Sequence, residues 1–121
     1  MQYVAVAIAG AVGALLRWRL GVVFAARQFP WSTLGINLIG SLLLAFLLAG
    51  PATTRFSDTT TLALSIGLIG SFTTFSTFGY ESITLLRDGR LATAVVYVAM
   101  SIIGGLACAG LGYLLGRSLV A

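Results

Sequence analysis

Four long apolar stretches separated by short polar breaks constrain this chain more than any other feature. A helix rises about 1.5 Å per residue, so roughly 20 apolar residues cross about 30 Å of hydrocarbon. Four such stretches fit into the 121 residues, over about 3–26, 31–48, 60–86 and 91–119, and a fifth does not. The breaks are chemically plain. Arg27-Gln28-Phe29-Pro30 is the first, and Pro30 suits the first turn of a new helix. Gly50-Pro51 opens the second, which carries Arg55 and Asp58. Arg87-Asp88-Gly89-Arg90 is the third. Composition agrees: only 8% of residues are charged, against about 25% in a soluble domain. Such a chain cannot cover a water-facing surface, and with 59% hydrophobic residues it is not disordered. The expectation is an all-α membrane protein, one four-helix domain over 1–121. The first span is read as a permanent helix and not a cleaved leader, because no basic region precedes it and the apolar run continues into Arg17-Trp18-Arg19.

The same composition excludes several function classes. There is no His and a single Cys, Cys108, so a Cys/His zinc site, a His-based catalytic pair and an internal disulfide are out of reach. The seven basic residues are all Arg and lie singly or in pairs, which suits membrane flanks better than nucleic acid. With four spans, both termini share a side with Arg55 and Arg117, and the other side holds Arg27, Arg87 and Arg90. Arg17 and Arg19 join the second group if they snorkel that way. The positive-inside bias is therefore weak. Insertion both ways up, and an antiparallel homodimer, follow as expectations.

Glycine numbers 15, which in lipid points to close helix contact. Gly104, Cys108, Gly112 and Gly116 repeat every four residues on the fourth span, with Ser101, Gly105 and Ala109 in a second row. Both rows, Cys108 included, read as packing strips.

The third span is a poor lipid-facing helix. Gly70-Ser71 followed by Thr73-Thr74 weakens it near its middle. At about 100° per residue, Phe72, Phe75 and Phe78 gather on one face, and Thr73, Ser76, Thr77, Tyr80, Glu81 and Thr84 on the other. The hydroxyls and the carboxylate need partners, because unpaired polar groups in hydrocarbon are costly. A break over Gly70 to Thr73 frees backbone carbonyls, hard oxygen donors suited to a small cation.

The run Gly70-Ser71-Phe72-Thr73-Thr74-Phe75-Ser76-Thr77-Phe78 closely resembles the third-helix signature of the bacterial fluoride channels, called Fluc or CrcB. Gly13-Ala14-Leu15-Leu16-Arg17-Trp18 resembles that family's first-helix motif, and Thr33-Leu34-Gly35-Ile36-Asn37-Leu38 its second. The resemblance covers nearly the whole chain. It implies a multi-pass protein of the bacterial inner membrane, an antiparallel, dual-topology homodimer with a broken third helix and two fluoride pores. By position it makes Phe75 and Phe78 the pore phenylalanines and Asn37 a pore-lining amide. It makes Ser76, Thr77, Glu81, Tyr97 and Ser101 a polar track, and Arg17 a vestibule cation. The carbonyls of Gly70 and Thr73 would hold a structural Na⁺ at the dimer centre. The chain departs from the family pattern at Ser71 (often glycine), at Phe72 (leucine or methionine) and at Gly105 (serine in some members).

The implied chemistry is sound. Fluoride is small and strongly hydrated, so a pore must replace its water. Asn37, Ser76, Thr77 and Tyr97 can donate hydrogen bonds. A phenylalanine ring offers an anion its positive edge while keeping the pore narrow. Arg17 and a bound cation raise the local potential. No ATP-binding loop is present, so export of fluoride would be passive. Plainer readings stand beside these: core packing for the phenylalanines, interhelical glue for Asn37, snorkelling for Arg19, an Arg partner for Glu81. A small multidrug transporter is a rival, also four-helix and dual-topology, but it needs a carboxylate in the first helix and this chain has none there. A non-transporting assembly subunit accounts for the glycine strips and not for the polar face. No nucleophile–base pair points to an enzyme.

Overall fold

The computed structural model describes residues 1–25 and 28–121. Ala26, at the expected end of the first span, and Arg27, in the first break, lie outside the described residues. Among the described residues every regular element is helical. Four helical stretches among the described residues are long and apolar enough to cross a membrane.

The first is α1, Gln2–Val23. The second is α2, Trp31–Ala49, extended by the short α3, Pro51–Thr54. The third is segmented. It opens with α4, Asp58–Leu62, where the Ser57 side chain accepts the Thr60 N–H as an N-cap. A π-helical stretch, Ala63–Ile69, leads to one helical turn, α5, Gly70–Phe72. Thr73 and Thr74 are extended (φ −79°, ψ 157°; φ −152°, ψ 113°), and α6, Phe75–Arg87, follows. The fourth is α7, Leu91–Ser118. Between α6 and α7, Gly89 takes φ +75°, a conformation that side chains resist, which is why glycine suits this turn.

Two expectations for the third span are corrected. Gly70 and Ser71 are helical, and the extended pair is Thr73–Thr74, because the Thr74 side chain caps α6 by accepting the Thr77 N–H at 3.1 Å. Phe72 does not share a helical face with Phe75 and Phe78. The period of 100° per residue holds only within a continuous helix, and two extended residues separate them.

Small residues set the packing. A Cβ at Gly112 would collide with the Leu42 carbonyl, and one at Gly116 with the Phe46 carbonyl, so this strip of α7 lies directly on the α2 backbone. Gly104 faces Leu38 in the same strip, and Cys108 is half-buried within it. On the other side, α1 meets the π-helical stretch through Gly13, where a Cβ would strike the Leu68 carbonyl. A core of Leu34, Leu85, Ala94 and Tyr97 joins α2, α6 and α7, with Phe78 packed against it. Ile8, Leu15, Ile103 and Leu106 are exposed on the outer faces of α1 and α7, as lipid contact requires.

Candidate functional site

The site grows from three faces that meet beside Thr73–Thr74. On α2, Thr33, Asn37 and Ser41 recur every four residues and form one polar stripe. On α6, Thr77 and Glu81 do the same, and on α7, Tyr97 and Ser101.

Asn37 engages Thr74 at two points. Its Nδ2 donates to the Thr74 carbonyl at 3.0 Å, and its Oδ1 accepts the Thr74 N–H at 2.8 Å. Arg17, on α1, donates from Nε to the Ser71 carbonyl at 3.1 Å. A continuous helix would aim the Thr74 N–H at the Gly70 carbonyl and the Thr77 N–H at the Thr73 carbonyl. Here those donors go to Asn37 and to the Thr74 hydroxyl. Gly70 and Thr73 thus lose their helical donors, while side chains from α1 and α2 take the Ser71 and Thr74 carbonyls.

Glu81 sits further along. Its two carboxylate oxygens each accept one hydroxyl, Thr33 at 2.9 Å and Tyr97 at 2.6 Å. The donors are neutral, and among the described residues Glu81 has no Arg partner; the ion pair among them is Arg87 with Asp88, both exposed. Tyr97 is fully buried, and Phe29 and Phe78 meet its ring at steep angles, with centroids 5.6 and 5.3 Å away. Phe75 follows Phe78 at 5.7 Å, making a line of aromatic rings beside the line of hydroxyls. Phe75 is 82% exposed. Ser76 is exposed, its hydroxyl 3.4 Å from that of Thr74. The Ser101 hydroxyl is buried and has no hydrogen-bond partner among the described residues.

Three cavities follow the same line. One of about 300 Å³ lies between Asn37, Ser41, Thr74, Phe75, Phe78 and Ser101. A second, about 420 Å³, lies between Arg17, Thr33, Thr74, Thr77 and Glu81. A third, about 380 Å³, reaches from Glu81 past Thr84 to Asp88 and Arg90. Thr74 borders the first two, and Glu81 the last two. Arg90 donates to the Gln28 carbonyl at that end. Arg19 is exposed and outside this line.

Thr33, Ser41 and Thr74 are the polar residues that sequence reasoning did not single out. The spacing of 33, 37 and 41 was the available signal on α2. For Thr74 it was the Thr-x-x-Thr pattern of an N-cap.

Residues 4–113 match the family model for CrcB-like protein, Camphor Resistance (CrcB). The chain is 47% identical over 103 residues to a protein of Desulfitobacterium hafniense named fluoride-specific ion channel FluC 1, covering 84% of this chain and 90% of that one. It is 41% identical over 122 residues to a fluoride-specific ion channel FluC of Thermus thermophilus, covering 98% of each. A Geobacter metallireducens protein of the same name is 40% identical over 123 residues, covering 98% and 99%.

Proposed function

The chain belongs to the CrcB-like family, and from that premise we propose that it is a fluoride-selective channel working as an antiparallel homodimer in the bacterial inner membrane. The observation that carries this reading is the line of Phe75, Phe78 and Tyr97 beside the hydroxyls and carboxylate of Ser76, Thr77, Glu81 and Ser101. Ring edges and hydroxyl donors together replace an anion's hydration shell, while the apolar rings keep the passage narrow. The unpartnered Ser101 hydroxyl is one such donor with its proton uncommitted. Asn37 stands in the wall of the passage and Arg17 supplies positive potential at its side. The exposure of Phe75 suits a ring that completes its surroundings with a second copy of the chain, so two pores per dimer are part of the reading. Transport is passive and lowers cytoplasmic fluoride when the ion inside exceeds its electrochemical equilibrium with the outside.

The residues present fit a structural sodium ion. Gly70 and Thr73 have carbonyls released from helical hydrogen bonding, and unwound backbone oxygens are the donors that Na⁺ takes in broken membrane helices. In this reading Thr73–Thr74 is the break in the third helix, and each subunit offers its two carbonyls to the shared ion. The ion would supply fixed positive charge at the dimer centre.

The test is fluoride efflux from liposomes holding the purified protein, read with a fluoride electrode, with chloride efflux in parallel. Fast fluoride and slow chloride efflux is the expected result. Correctly assembled protein that releases neither anion would send the assignment back to organic-cation transport or a structural role.

A further inference from the structure

We propose that Asn37 is a positioning residue that holds the Thr73–Thr74 break open, and is not a ligand of the permeating anion. An amide side chain carries one acceptor oxygen and two donor hydrogens. Asn37 gives the oxygen to the Thr74 N–H at 2.8 Å and one hydrogen to the Thr74 carbonyl at 3.0 Å. Reversing the amide would set oxygen against carbonyl and N–H against N–H, so this orientation is the one the two contacts allow. The side chain acts as a peptide group from a neighbouring strand would, satisfying both polar groups of Thr74 outside a helix. It thereby diverts the Thr74 N–H from the Gly70 carbonyl. Ser41 fixes the base of this device, donating to the Asn37 carbonyl at 2.7 Å. Arg17 does parallel work one turn earlier by taking the Ser71 carbonyl. Of the carbonyls 70, 71, 73 and 74, side chains thus occupy the two that are not proposed for sodium.

The inference rests on the channel and sodium readings only for its consequences; the brace itself is read at Thr74. The first measurement is hydrogen–deuterium exchange at the Thr74 amide, by NMR on labelled full-length protein in micelles. Asn37→Ala should speed that exchange about tenfold, the factor that loss of one net hydrogen bond gives a local opening. Asn37→Leu, which keeps the volume but offers Thr74 neither acceptor nor donor, should do the same and serves if the alanine variant does not fold. Ser101→Ala, which lines the same cavity from α7, should leave Thr74 exchange unchanged. The second measurement is the sodium concentration giving half-maximal thermal stabilisation. It should rise in the Asn37 variants, whereas a merely destabilising change lowers Tm at every concentration and leaves the midpoint in place. Residual fluoride efflux should keep its preference over chloride. Unchanged Thr74 exchange together with collapsed fluoride preference would overturn the proposal and make Asn37 an anion ligand. If wild-type protein passes no fluoride, or its Tm ignores sodium, the channel or sodium reading falls and the Thr74 exchange still decides the brace.

Discussion

At the residue scale, the buried polar groups carry the sharpest consequences. Tyr97 is fully buried and its hydroxyl is given to Glu81. Tyr97→Phe keeps the ring packing and removes one donor from a carboxylate left with Thr33. The expected cost is about 1–2 kcal/mol of stability, read as a lower Tm in detergent. Thr33→Val should cost a similar amount, and the double variant should depart from the sum, because both donors serve one carboxylate. Phe75 and Phe78 separate packing from passage. Phe75→Ile alters a ring that is exposed on the single subunit and proposed to meet the second copy, so flux should fall, with a smaller fall in Tm than Phe78→Ile gives. Phe78→Ile also disturbs the Tyr97 contact, so both should fall. A ring edge is worth about 1 kcal/mol to a suitably placed partner, or roughly five-fold in rate. Wild-type fluoride efflux in a well-folded double variant would remove the aromatic passage.

At the element scale, the glycines of α7 define what can change. Gly112→Leu forces the α2 backbone away from α7, since even a Cβ meets the Leu42 carbonyl. Loss of folded protein on expression is the expected outcome. Gly110, two residues away, has open space around a Cβ, so Gly110→Ala should express and melt as the parent does. The every-fourth-residue strip was legible in the sequence because helix geometry alone puts those positions on one line. The interruption of the third span was less so. Gly70 and Ser71 drew attention as weak helix formers, yet they are helical, and the extended residues are the two threonines that follow. The Thr-x-x-Thr cap is a local signal for Thr74, but its pairing with Asn37, 37 positions away, leaves no trace in local propensity.

At the scale of the whole molecule, a chain of 12.6 kDa leaves the outermost pathway ring exposed. Purified protein should therefore have twice that mass in detergent, by light scattering corrected for bound detergent; a monomer with full fluoride efflux would contradict the dimeric pore. Replacing sodium by choline should lower the Tm of that dimer. An unchanged Tm would leave the freed Gly70 and Thr73 carbonyls without the role proposed for them.

The sequence by itself determined the solvent, the number of spans and the close contact of α7. These depend on hydropathy, length and helical period, which are local properties. It also marked most of the polar residues of the site, because hydroxyls and carboxylates within apolar spans need partners wherever they lie. Only the tertiary structure decided what those partners are. It gave Glu81 the hydroxyls of Thr33 and Tyr97 and joined Asn37 to Thr74. Each of these is a pairing between different helices, fixed by how the small residues let the backbones approach. No spacing along one helix encodes it.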